Sequence, residues 1–130
     1  MELFEVGLIS NQVRIMSEFY AKVLGVKGDD FFAEIRTGGV KVAVFSSEGM
    51  ERLAPDCMRG AGYGSFTLGF QVDNVDVEFE RLKRLNVDIV KPPTSRPWGA
   101  RSFWFRDPDG NIMNFVTPAI GERELYNAKK

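Results

Sequence analysis

The feature that most constrains this chain is that it repeats itself. At an offset of 62 positions, the distance from Phe4 to Phe66, its first half lies over its second: Gly7 meets Gly69, Leu8 meets Phe70, Val13 meets Val75 and Ile15 meets Val77. Further on, Tyr20 meets Leu82 and Val23 meets Leu85. The matched positions are a strand-like alternation followed by a helical stripe, so each copy opens as a strand and a helix that must share one apolar face. Two unrelated amphipathic β-α units would share part of this pattern. The ordered register through both elements favours a duplication.

Within the first copy, Leu3 to Ser10 alternates as a strand, and Asn11 offers a helix N-cap. Val13, Met16, Tyr20, Val23 and Leu24 then recur at helical spacing up to Gly25, which predicts a helix over 12–24. Two short strands, 31–36 and 40–45, are joined by Thr37-Gly38-Gly39, with room for one more strand around Val26 to Asp29. Residues 46–64 carry Gly49, Pro55, Gly60, Gly62 and Gly64 without sustained periodicity and read as a long connection with one helical turn at most. The second copy repeats the strand over 66–73. Its helical stripe is Val75, Phe79, Leu82 and Leu85, and strands follow near 88–91, 101–106 and 111–117. The segment from Pro92 to Arg101 between them reads as a proline-stiffened loop.

Composition narrows the chemistry. In 130 residues there is no histidine, which removes the commonest metal ligand and the commonest neutral-pH base, and with them any His-dependent triad. A net charge of −1 lacks the basic footprint of nucleic-acid binding. One cysteine, Cys57, allows no internal disulfide. The acidic N-terminus does not resemble a secretory signal, and no apolar run approaches about 18 residues. The expectation is a cytoplasmic protein with no membrane partner.

The sharpest local motif, Asp107-Pro108-Asp109-Gly110-Asn111, is first of all a turn: proline presets φ, and Gly110 accepts a left-handed conformation. Here the chain resembles a known family. Val6-Gly7-Leu8 leads through Asn11 to Phe19-Tyr20 and Leu24-Gly25. Gly69-Phe70-Gln71-Val72-Asp73 precedes the second helix, and Trp98-Gly99 with Arg101 precedes Phe103-Trp104-Phe105-Arg106 and the turn. Together these spacings resemble the vicinal oxygen chelate superfamily of glyoxalases, bleomycin-resistance proteins and extradiol dioxygenases. The resemblance covers nearly the whole chain and is closest to bleomycin-resistance-type members. It implies an α+β fold in which two βαβββ modules form a curled mixed sheet around an open cup, usually in a homodimer. A single domain over 1–130 is expected, with modules at about 1–47 and 65–118, a connection over 48–64 and a tail over 119–130.

Metal-dependent members of that family carry His and Glu ligands on inward-facing strand positions. Carried over one by one, the first falls on Glu5, three residues before Leu8. The ligand of the strand opening the second module falls on Thr67, and that of the last strand on Asn114. The remaining first-module strand offers Ala43 or its neighbours Val42 and Val44. One anionic donor does not match the three protein ligands of a catalytic metal site, so the expectation is no metal cofactor, with a weakly held divalent ion as the alternative.

Strand alternation then gives the cup wall: Glu5, Gly7 and Ile9, with Thr67, Gly69 and Gln71, and Ile112, Asn114 and Val116. Phe4, Val6, Leu8, Phe66, Leu68 and Phe70 are expected to pack beneath the helices. The expected ligand-binding residues are Glu5, Thr67, Gln71, Trp98, Arg101, Phe103 and Asn114. For Trp98 the competing reading is packing over the sheet edge, and for Arg101 pairing with a surface acid. The function expected is binding of a small organic molecule in the cup without metal, for resistance or sequestration. The alternative is a glyoxalase-type lyase or dioxygenase-like enzyme in which Glu5 serves as base or weak metal ligand. A third reading is an accessory module with a vestigial cup.

Overall fold

The structure, a computed structural model, describes residues 1–25, 33–37, 39–62 and 66–119, with backbone alone for 33–37. The chain clusters into two compact units, Met1–Tyr63 and Gly64–Lys130. The extra strand expected around Val26 to Asp29, and the tail from residue 120, lie outside the described residues.

In the first unit β1 (Glu5–Ser10) is followed by α1 (Val13–Leu24), β2 (Ala33–Thr37), β3 (Val40–Ser46) and α2 (Ser47–Leu53). The strands lie in the order β1-β3-β2, with β1 parallel and β2 antiparallel to β3. The helix seam is the expected stripe: Met16, Tyr20 and Val23 are buried, as are Leu8, Val42 and Val44 of the strands. Gly25 ends α1 at φ 68°, where its N–H donates to the Ala21 carbonyl. The start differs from expectation. Gln12, not Asn11, is the cap position and makes no side-chain cap bond. Instead the buried Ser10 hydroxyl accepts from the Gln12 N–H at 2.9 Å.

The connection is more ordered than its glycines suggest. Ser46 caps α2 by accepting from the Gly49 N–H at 2.9 Å. Beyond the helix, the Glu51 carboxylate accepts from the N–H groups of Asp56 (2.6 Å) and Met58 (3.1 Å) and holds the following turn.

The second unit runs β4 (Thr67–Gln71), α3 (Val75–Arg84), β5 (Asp88–Ser95), β6 (Arg101–Arg106) and β7 (Ile112–Thr117). Its strand order is β4-β7-β6-β5, with β4 parallel to β7 and the other pairs antiparallel. Val13 and Val75, paired by the repeat, each open a helix. In both units the first strand lies parallel to the last, a shared topology that similar local patterns alone would not produce. The core beneath α3 is aromatic. Phe115 lies 5.0 Å from Phe105 and 5.6 Å from Phe103, and Phe103 lies 5.4 Å from Phe79 of the helix, all edge-to-face. Each such pair adds about 0.5–1.5 kcal/mol beyond area burial.

Three expectations are corrected here. β5 continues through Pro92 and Pro93 to Ser95, where a loop was expected. As the outer strand it can dispense with those two N–H donors, and its pairing with β6 is irregular over the same stretch. Phe4 and Phe66, expected in the core, are 65% and 40% exposed because both precede the first paired residue of their strands.

Candidate functional site

Each sheet has one face under its helix and one face away from it, and the two open faces differ. In the first unit the open face carries Glu5 beside Lys41, Gly7 beside Ala43 and Ile9 beside Phe45, by parallel register. The Glu5 carboxylate meets the Lys41 ammonium at 3.6 Å, and the pair is partly buried. Lys41 also lies over the Phe4 ring, 5.5 Å from its centroid. The Phe45 ring lies across the strand above Gly7, so close that a β-carbon at Gly7 would stand 2.8 Å from Cε2. Among the described side chains of this face, the Glu5 and Lys41 charges are paired and the Phe45 ring lies beside Gly7, which itself stays exposed.

The second unit's open face is built differently. Thr67, Gly69 and Gln71 are exposed along β4, opposite Ile112, Asn114 and Val116 of β7. Next to these on β6 stand Arg106, Trp104 and Ser102. Asn114 sits between Gly69 and Trp104, and its side-chain oxygen Oδ1 is buried without a hydrogen-bond donor. A β-carbon at Gly69 would meet nothing within 4 Å among the described residues. Lys91 of β5 reaches over the Trp104 ring, 4.9 Å from its centroid, and donates to the Ser102 hydroxyl at 3.1 Å. Burial, and then the charge of Arg96, push the Lys91 ammonium below the ordinary lysine range.

Of the expected ligand residues, Thr67, Gln71 and Asn114 come together on this face, and Glu5 lies on the open face of the other unit. Phe103 does not belong with them. It is wholly buried among Phe79, Phe105 and Phe115 on the helix side, so the aromatic side chain that β6 turns to the open face is Trp104. Arg101 is on the helix side too, where it is held as a fork. Its Nε and Nη2 donate to the two carboxylate oxygens of Asp76 at 2.9 and 2.8 Å, and Nη1 donates to Ser95 at 2.9 Å. The hydrogen bond from Arg101 lowers the Asp76 pKa, and Asp76 raises that of Arg101. Arg101 thus ties the β5–β6 hairpin to the first turn of α3. Trp98 stands in the turn between β5 and β6, 62% exposed.

The Asp-Pro-Asp-Gly-Asn motif is a turn held from within. The Asp107 Oδ1 accepts from the N–H groups of Asp109 and Asn111, and its Oδ2 from the Asn111 amide, all at 2.9 Å. Gly110 sits at φ 88°, and its carbonyl accepts from Arg106 at 2.9 Å.

The residues missed in the sequence are Lys91 and Ser102. Lys91 carries no motif, and only the register of a bulged edge strand puts it over an indole ring.

The donor set does not fit the metal implied by the family resemblance. Glu5 is the single carboxylate at those positions and its charge is engaged by Lys41, while Thr67 and Asn114 are neutral. Among the described residues no three His, Cys, Asp or Glu side chains gather into a metal-holding group. No helix among them is long and apolar enough to cross a membrane.

The comparisons with known proteins agree with this architecture. The pattern of the Glyoxalase/Bleomycin resistance protein/Dioxygenase superfamily matches residues 3–115. The uncharacterized protein YraH of Bacillus subtilis (strain 168) is 29% identical over 122 residues, covering 87% of this chain and 95% of its own. A glyoxalase/bleomycin resistance protein/dioxygenase family enzyme from Burkholderia phytofirmans PsJN superposes with a TM-score of 0.78 at 20% identity, over 90% of this chain and 98% of its own. A lactoylglutathione lyase from Agrobacterium tumefaciens superposes with a TM-score of 0.72 at 20% identity, over 92% and 95%. At such identities the two structures speak for the fold, and the match to the superfamily pattern carries the assignment: this chain belongs to the Glyoxalase/Bleomycin resistance protein/Dioxygenase superfamily.

Proposed function

We propose that this protein binds a small organic molecule without a resident metal, on the open face of the second unit. The observation that carries the reading is the buried Asn114 Oδ1, which lacks a donor and lies between bare Gly69 and Trp104. A buried acceptor left unpaired costs about 1–3 kcal/mol, which a ligand donor would recover. Thr67 and Gln71 supply further polar contacts along the same face. A role for Glu5 as base or metal ligand gains nothing from its pairing with Lys41. The test combines metal analysis by inductively coupled plasma mass spectrometry on untagged protein with a ligand-observed NMR screen of small organic molecules, before and after EDTA. Binding that survives EDTA and is weakened in Asn114→Leu is the expected result. Metal near one per chain, or binding abolished by EDTA, would overturn it.

A further inference from the structure

On the open face of the second unit one row crosses all four strands in register: Gly69 on β4, Asn114 on β7, Trp104 on β6 and Lys91 on β5. At about 4.8 Å between strands, three steps span roughly 14 Å, the length of about two or three aromatic rings. The three parts of the row have different chemistry.

The β5 end is cationic. Lys91 is drawn in over the Trp104 ring and bonded to Ser102, and among the described residues no carboxylate pairs with it. Asp88, the acid on β5, lies across from Arg106 instead. An ammonium partly stripped of water and lacking a counter-ion gains most from an anion, and the nearby charge of Arg96 adds to the same bias. The middle is flat, an indole ring standing beside the Asn114 amide. Toward β4 the row offers an acceptor without a donor, the Asn114 Oδ1, and then open space where Gly69 has no side chain.

We propose that this row seats a planar aromatic or conjugated anion that also carries an N–H or O–H donor. Its anionic group lies at Lys91 and Ser102, its rings lie along Trp104 toward Gly69, and its donor meets the Asn114 Oδ1. This rests on the binding reading above and adds the chemical class of the ligand. A neutral ring system would leave the ammonium unpaired, and a cation would be repelled by it. An anion without a donor would leave Asn114 unsatisfied.

Two fluorescent probes separate the parts. 6-Anilinonaphthalene-2-sulfonate has the rings, the N–H and, at the opposite end of the ring system, the anionic group, whereas N-phenyl-2-naphthylamine, the phenylnaphthylamine used, keeps the rings and the N–H and lacks the charge. The wild-type chain is expected to bind the sulfonate more tightly. Lys91→Met should weaken the sulfonate by about tenfold or more while leaving phenylnaphthylamine unchanged. Asn114→Leu should weaken both by about threefold to tenfold. Trp104→Phe should keep most of the affinity that Trp104→Ala loses. Circular dichroism and urea midpoints verify that each variant folds, and Lys91→Gln replaces Lys91→Met if that variant does not. Equal sulfonate affinity in wild type and Lys91→Met, or tighter binding of the neutral probe, would overturn the anion assignment while leaving the binding reading intact. If the folded chain takes up neither probe, both fail.

Discussion

Gly7 and Gly69 occupy the same place in the repeat and both are exposed, yet one has a ring beside it and the other is bare. Above Gly7 lies the Phe45 ring, and two residues before it Glu5 is matched by Lys41. Above Gly69 there is nothing within 4 Å among the described residues, and its register partner Asn114 holds an unpaired oxygen. The duplication kept the backbone and the helix seam in both copies, since each sheet needs one covered face to fold. It did not keep the open faces alike. The described side chains of the first unit's open face pair Glu5 with Lys41 and set Phe45 beside Gly7, whereas among the described residues the second leaves an acceptor, a cation and a space that its own side chains do not fill. A binding surface needs such unsatisfied groups, and folding tolerates them only where the rest of the unit is well packed. The aromatic core under α3 supplies that packing.

The largest effects should come from what the two units share. Tyr20 and Leu82 are equivalent in the repeat and both fully buried. Leu82→Ala should destabilise by about 2–5 kcal/mol and Tyr20→Ala by a similar amount, measured from urea unfolding midpoints. A near-neutral effect at either position would mean that the helix seams are not equivalent. Next come the glycines themselves. Gly7→Ala should cost about 1 kcal/mol, because the half-buried Phe45 ring must turn aside, whereas Gly69→Ala should stay within about 0.5 kcal/mol. Combining Gly7→Ala with Phe45→Ala should remove most of the added penalty in a double-mutant cycle, because the clash is then gone. Asn114→Leu should gain up to about 1 kcal/mol of stability while losing ligand, the signature of a polar group kept for binding.

Much of the shared architecture was legible in the amino-acid sequence, because the seam is an apolar period and the repeat aligns it twice. Val13 and Val75 open the two helices, and Gly25 ends the first, where only a residue tolerant of positive φ serves well. The turn at Asp107 to Asn111 was legible for the same local reason. The open faces were less so. Phe103, Trp104 and Phe105 are three aromatics in succession, so alternation separates them into two sets without saying which set faces the helix. Pairing of Phe103 with Phe115, and of Trp104 with Asn114, decides it. Lys91 was illegible because it precedes two prolines, and a strand that continues through Pro92 and Pro93 makes sense only once it lies at the edge of the sheet. Arg101 was read as a ligand contact or a partner for a surface acid, and the acid is Asp76.

That last pair gives the smallest predicted effect and the one with a definite pH sign. It ties the β5–β6 hairpin of the second unit to α3. The hydrogen bond from Arg101 lowers the Asp76 pKa in the folded chain. A carboxylate whose folded pKa is depressed contributes stability above its unfolded pKa, and that contribution is lost as pH falls through the folded value. Wild type should therefore exceed Asp76→Asn in urea midpoint at neutral pH, and the gap should close in acid below the ordinary carboxylate range. Because both side chains are largely in solvent the gap should be small, and added salt should narrow it further. A gap that persisted unchanged into acid would show that Asp76 acts through α3 itself and not through Arg101, since the charge on Asp76 would then be immaterial.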